Sequence, residues 1–196
     1  MTDELSPDIL LSAYAQGIFP MAGPDGRIAW YSPDPRAILP FDAFHISRTL
    51  RQRWRQGRFD IRIDADFEGV MRACADRDEG TWISEPIVRA YCTLQRMGLA
   101  HSVEAWQADG LVGGLYGVSL GGAFFGESMF HRVTDASKVA LVHLVERLRD
   151  RGYVLLDVQF ATPHLERFGA VEIPRAEYLR RLRGALQIDC RFGDQG

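Results

Sequence analysis

The chain has 196 residues, 46% hydrophobic and 25% charged, with a net charge of −3. That balance excludes a disordered, fibrous or low-complexity protein and suits one domain, or one large domain with a small lobe, that buries most of its apolar surface. No apolar run approaches the ~20 residues that span a bilayer, and the acidic opening MTDELSPDIL lacks a basic-then-apolar leader. A cytoplasmic protein without membrane attachment is therefore expected.

Ser6 and Pro7 open a helix that runs to about residue 16, where Gly17 stops it. A short strand at 28–31 meets the turn SPDP, whose Pro33 and Pro35 fix φ and remove two donors, so Trp30 and Tyr31 stand beside a rigid elbow. A basic helix at 45–56, a strand at 59–63 and a helix at 66–75 follow. After Ser84 another helix places Ile87, Ala90, Tyr91 and Leu94 on one stripe and ends at Gly98. The periodicity then changes. HSVEAW, a turn at Asp109 and Gly110, LVGGLYGV and AFFGES read as successive antiparallel strands. Thr134 or Asp135 caps a helix reaching residue 151, with Val139, Leu141, Val142, Val145 and Leu148 as core residues. Gly152 stops it, VLLDVQF is a nearly continuous apolar strand, and a last helix covers 175–186. Two strands, a helix and a further strand predict an α+β fold around a mixed sheet with a crossover connection.

Two segments carry polar groups where an apolar run would otherwise continue: GGAFFGESMF at 121–130, with Glu127, and YVLLDVQF, with Asp157 and Gln159. A buried polar group without a partner costs free energy, so such residues mark a site. Strand alternation points Asp157 and Gln159 one way and Val158 the other. The same parity sets Phe124 and Glu127 on opposite sides of a regular strand, so the two can serve one site only with a bulge or strand end near Gly126. Charge is also concentrated: residues 43–59 hold five arginines and no acid, +5, which leaves −8 for the remainder. Arg48, Arg51 and Arg55 fall at i, i+3 and i+7, one basic stripe suited to a phosphate backbone or to a solvated face. Trp82, beside a helix start, and Trp30 with Tyr31 suit stacking on a nucleobase or plain packing.

Other chemistries fit poorly. The five histidines show no HExxH or HxH spacing, and Cys74, Cys92 and Cys190 form no CxxC, so no metal is expected and the cysteines read as reduced thiols. Gly126, Glu127 and Ser128 begin a GxSxG-like elbow, with Asp157 and His164 as candidate partners, but Phe130 stands where the second glycine is needed. QRMGLA at 95–100 matches the pyrophosphate loop of coenzyme A acetyltransferases in letters only, because it lies where a helix ends and not where one begins.

GIFPM, WYSPDPRAILP, HISR, CADRDEGTWIS, AHSVEAW, LVGGLYGV, FFGESMF, DASK, LLDVQ and FGAVEIPR, in that order from about residue 5 to 182, resemble the bacterial leucyl/phenylalanyl-tRNA–protein transferase family. The resemblance implies a small N-terminal α+β domain, about 1–45, and a C-terminal domain of acyl-CoA N-acyltransferase fold, about 46–196. It implies transfer of Leu or Phe, less often Met, from aminoacyl-tRNA to acceptor proteins that begin with Arg or Lys, marking them for degradation. A monomer needing no cofactor is expected. By the same resemblance Asp157 and Gln159 match the catalytic acid and amide of a D-x-Q motif and Glu127 matches the residue that orients the aminoacyl-adenosine end; the chemistry expected of them is that Gln159 orients the incoming amine and Asp157 draws off its proton, directly or through Gln159. Leu115, Phe124, Gly126, Met129, Leu141, Leu144 and Leu156 are expected to line the apolar side-chain pocket, with Trp82 and Met21 near the adenosine and Arg48, Arg51 and Arg55 on the tRNA. Some relatives carry Trp at the position of Met21, which predicts one-sided stacking here. A coenzyme A-dependent N-acetyltransferase and a non-catalytic tRNA-binding module remain the alternatives.

Overall fold

The computed structural model describes residues 5–78, 80–108 and 110–193; the expected turn residue Asp109 lies outside them. The chain opens with α1 (Pro7–Ala15), where Ser6 Oγ accepts from the Ile9 amide at 3.4 Å and Pro7 presets the first helical φ. Gly17 ends it at φ +74, and a Cβ there would meet Leu179 Cδ2 at 2.7 Å, so both backbone and space require glycine. A two-stranded antiparallel sheet of β1 (Phe19–Ala22) and β2 (Ile28–Tyr31) follows. Then come β3 (Arg36–Ile38), α2 (Arg48–Arg55), β4 (Asp60–Ile63), α3 (Phe67–Ala75), α4 (Glu85–Arg96), β5 (Ala100–Gln107), β6 (Gly110–Leu120), β7 (Ala123–His131), α5 (Ala136–Asp150), β8 (Leu155–Gln159), α6 (Pro163–Glu166), β9 (Val171–Ile173) and α7 (Arg175–Ala185).

The main sheet has the order β4-β5-β6-β7-β8-β3-β9. All its pairs are antiparallel except β7 with β8, which the α5 crossover makes parallel. One face packs against α1, α3, α4 and α7 through Leu10, Met71, Tyr91 and Leu182. The other packs against α2 and α5 through Leu50, Val139, Val145 and Leu148. Covered on both sides, β8 reads as a nearly unbroken apolar run, the pattern of a central strand. α5 is buried along most of its length, and α2 is held to it by Leu50 and by the Trp54 indole donating to His143 Nε2 at 3.0 Å.

Four elements are absent from the sequence-based expectation: β1, β3, β9 and α6. Each has three or four residues, too few for a period of 2 or 3.6 to emerge. β3 is the consequential one, because it places Arg36 inside the main sheet beside the end of β8.

Candidate active site

β7 and β8 pair over only three registers, ending at Phe125↔Asp157. Beyond that point β7 turns away. On its other side Gly117 pairs with Gly126 but Tyr116 pairs with Ser128, so Glu127 is the extra residue of a β-bulge. The expected irregularity near Gly126 is thus present. It inverts the parity of the strand: Phe124 faces the α5 side before the bulge and Met129 after it, while Phe125 and Phe130 face the other. Gly117 opposite the bulge is forced, since a Cβ would lie 2.3 Å from the Phe125 carbonyl oxygen.

The splayed strands leave a hollow of about 90 Å³. Of the expected pocket residues Leu115, Gly126, Met129, Leu141, Leu144 and Leu156 line it, joined by Val158 and Leu165. Phe124 does not. It lies three residues before the bulge, fully buried and stacked on Phe192 at 5.2 Å between ring centroids, so it supports the floor of the core and not the hollow. Glu127 and Gln159 lie at the polar end of the lining.

Asp157 is fully buried and does not line the hollow. Its Oδ1 accepts from Arg36 Nε at 2.9 Å and from the Gln159 backbone amide at 2.9 Å; its Oδ2 accepts from Arg36 Nη2 at 2.6 Å and from the Tyr178 hydroxyl at 2.7 Å. A carboxylate has about four lone-pair sites, and four donors fill them. Direct proton transfer from an amine to Asp157 would require one of these four donors to give way. Arg36 lies between the rings of Phe19 and Tyr178, at 4.7 and 4.5 Å, and donates its remaining arm to the Gly17 carbonyl at 3.0 Å. Burial by itself would lower the Arg36 guanidinium, but its bonds to Asp157 raise it overall. Burial, then the adjoining Asp157, raises the Tyr178 hydroxyl.

This cluster fixes Gln159. The residue ends β8 at φ +59, a left-handed conformation that costs a non-glycine residue free energy and persists where its surroundings dictate it. The amide bond to Asp157 supplies that constraint, and the turn carries the Gln159 side chain to Glu127, where Nε2 donates to Oε1 at 3.2 Å. Glu127 Oε1 also accepts from the Tyr14 hydroxyl at 2.7 Å, and Tyr14 bonds Tyr91. Burial pushes the Glu127 carboxyl up to about 8; the Tyr14 hydrogen bond opposes the shift and the charge of Asp157 adds to it. In its protonated form Glu127 presents a donor as well as an acceptor.

Met21 and Trp82 stand apart from the hollow but close to each other, because the amide of Ala22 donates to the Trp82 carbonyl at 3.1 Å. Arg48, Arg51 and Arg55 are exposed, and no ion pair engages them among the described residues. Arg53, off the stripe, turns inward to Asp135. Ser128 lies in mid-strand and accepts from Arg77 at 2.8 Å, with neither Asp157 nor His164 bonded to it, so no nucleophile elbow forms. Gly98, at φ +74, caps α4, as its place in the sequence predicts. No cluster of three or more metal-ligating side chains occurs among the described residues. No helix among them is long and apolar enough to cross a membrane.

A mixed sheet whose two central parallel strands part over an aliphatic hollow, with an amide and a carboxyl at one end, suits a transferase that seats an apolar acyl group while a nucleophile reaches its carbonyl. Residues 38–183 match the family described as leucyl/phenylalanyl-tRNA protein transferase, and residues 3–34 match that family's N-terminal domain. The chain belongs to this family of aminoacyltransferases. It is 63% identical over 189 residues to the leucyl/phenylalanyl-tRNA–protein transferase of Rubrobacter xylanophilus, covering 96% of this chain and 98% of the relative. It is 61% identical to that of Gloeobacter violaceus, covering 96% and 97%. A solved structure of L-PGS from Bacillus licheniformis is similar at a TM-score of 0.49 and 12% identity, over 86% of this chain and 66% of that one, a likeness too distant to bear on the site.

Sequence reasoning did not find Arg36, Tyr178, Tyr14 and Leu165. Arg36 carried the signal that singled out Asp157, a charge inside the otherwise apolar PRAILP.

Proposed function

We propose that the protein transfers leucine or phenylalanine, and less often methionine, from aminoacyl-tRNA to the α-amino group of acceptor proteins that begin with Arg or Lys. The observation that carries this reading is the aliphatic hollow bounded at one end by Gln159 and Glu127. Its volume of about 90 Å³ compares with ~30 Å³ per water and ~150 Å³ for a cavity that admits benzene. A leucine side chain suits such a space, whereas a phenylalanine ring needs Met129, unbranched and adaptable, to swing aside. β-Branched side chains are disfavoured by shape near Cβ, at ~1 to 3 kcal/mol per misfit group.

In the proposed reaction the neutral amine attacks the ester carbonyl, the C–O bond to the terminal ribose breaks, and the amine's proton ends on the ribose oxygen, so no proton is stored. A free α-amino group has a pKa near ~7.7 to 8.0, which leaves an appreciable neutral fraction. With its Nε2 committed to Glu127, Gln159 has its carbonyl oxygen left to accept from the amine and aim it. Glu127, held by Tyr14 and Gln159, orients the ester end. Asp157 and Arg36 are positioning residues that act by fixing the Gln159 backbone. Placement of this kind supplies up to about 7 to 11 kcal/mol in ideal cases. The exposed arginines of α2 provide a sequence-independent hold on the tRNA backbone. The product's new N-terminus directs the acceptor to degradation, and the enzyme acts as a cytoplasmic monomer.

The test is incubation with radiolabelled leucyl-tRNA and a protein beginning with Arg. Label in the acceptor is expected; its absence, with the leucyl-tRNA bound but unreacted, favours a binding module.

A further inference from the structure

A second cleft, of about 350 Å³, opens between α2, the start of α5 and α6, lined by Ser47, Arg53, Asp135, Lys138, His164 and Arg167. Its charge is unbalanced. Three cations face one carboxylate, which leaves two positive charges. Asp135, 7% exposed, is already engaged by Arg53 and by Lys138 Nζ at 2.8 Å, whereas both cations keep 39% of their side chains in water and so have donors to spare. Arg167 is exposed and makes no ion pair among the described residues. Ser47 Oγ accepts from the Leu50 amide and retains its own hydrogen for a ligand. His164 Nε2 is buried with no partner, and burial, then Lys138, His131 and Arg167, hold its imidazole below its usual range. The cleft has room for about ten waters and is chemically a seat for an anion.

Its place identifies the anion. Lys138 lines the cleft and Leu141, one turn along α5, lines the aliphatic hollow; His164 lines the cleft and Leu165, the next residue, lines the hollow. An anion bound here lies one wall away from the seated acyl group. In an aminoacyl-tRNA the nearest anions to the ester are the phosphodiesters of the single-stranded 3′ end, the first of them on the esterified ribose itself. We infer that this cleft binds a phosphodiester of the terminal CCA segment of the tRNA, between the basic stripe of α2 and the hollow. The inference rests on the aminoacyl-transfer reading of the hollow.

Minimal donors test it. Leucyl-adenosine carries no phosphodiester, and leucyl-CCA carries two. In the wild-type protein leucyl-CCA is expected to be the better donor. Arg167→Gln should lower kcat/KM for leucyl-CCA about tenfold and leave leucyl-adenosine unchanged, while the salt dependence of leucyl-CCA binding loses ~0.7 units of slope. Arg167→Lys, which keeps the charge, should recover most of the loss. Inorganic phosphate should compete with leucyl-CCA and not with leucyl-adenosine. An equal loss on both donors, or a loss on neither, overturns the subsite. Should the wild-type protein transfer leucine from neither donor nor from intact leucyl-tRNA, the transfer reading itself fails.

Discussion

Removing Arg36 strands a charge. Asp157 is 0% exposed and Arg36 is its only ion-pair partner among the described residues, so Arg36→Met leaves a buried carboxylate with two neutral donors in place of a bidentate guanidinium. Breaking a buried pair from one side costs about 3 to 5 kcal/mol. At roughly 2 to 4 °C per kcal/mol for a chain of this size, Tm should fall by about 6 to 20 °C. Replacing both partners, Arg36→Met with Asp157→Leu, removes the stranded charge, and such exchanges are often near neutral. Thermal and urea unfolding of the two single variants and the double variant close the cycle. The double variant should regain most of the stability yet transfer little leucine, because the Gln159 amide has lost its acceptor and its left-handed turn is no longer held. A loss below about 1 kcal/mol in Arg36→Met would refute the buried-charge argument. Transfer restored together with stability would refute the positioning role.

Two further outcomes follow from groups at the hollow and on α2. The Glu127 carboxyl is raised to about 8 from its ordinary 4.5, so the folded state binds its proton more tightly than the unfolded one. Its contribution to stability is complete below about pH 4.5 and is lost as pH rises through about 8; Glu127→Gln, neutral at every pH, should flatten that part of the stability profile, and an unchanged profile in pH-dependent urea unfolding would contradict the shift. Replacing Arg48 and Arg51 by Gln should weaken every aminoacyl-tRNA alike and reduce the slope of log K against log salt by ~0.7 to 0.9 per lost phosphate contact; an unchanged slope in filter binding would return that face of α2 to plain solvation.

Residues whose burial could be judged locally were legible in the sequence. The apolar stripe of α5, the Gly98 cap, the strands from β5 to β7 and the polar pair in β8 each follow from a local pattern; a bulge or strand end near Gly126 follows from assigning both Phe124 and Glu127 to one site, an assignment that holds for Glu127 and not for Phe124. What stayed hidden depends on partners far along the chain. Arg36 and Asp157 are 121 residues apart, and nothing local announces which cation meets which acid. Once paired, and with the Tyr178 hydroxyl and the Gln159 amide added, the Asp157 carboxylate has its four acceptor sites filled. Phe124 has the same apolar character as the residues that line the hollow; only its place before the splay sends it to the core. Likewise the docking of Leu50 and Trp54, not the charge pattern, sets the rotation of α2 that turns Arg53 inward and leaves Arg48, Arg51 and Arg55 in water.

In the proposed reaction the transferred side chain sits between the parted strands, against Met129. Met129→Ala enlarges the hollow without touching Gln159 or Glu127, and its effect is read as the ratio of kcat/KM for phenylalanyl-tRNA to that for leucyl-tRNA, alongside the Kd of each tRNA. The ratio should rise about tenfold, the worth of one to two methylenes in an apolar pocket, with both Kd values unchanged. An unchanged ratio, or an equal fall for both substrates, would place the amino acid elsewhere.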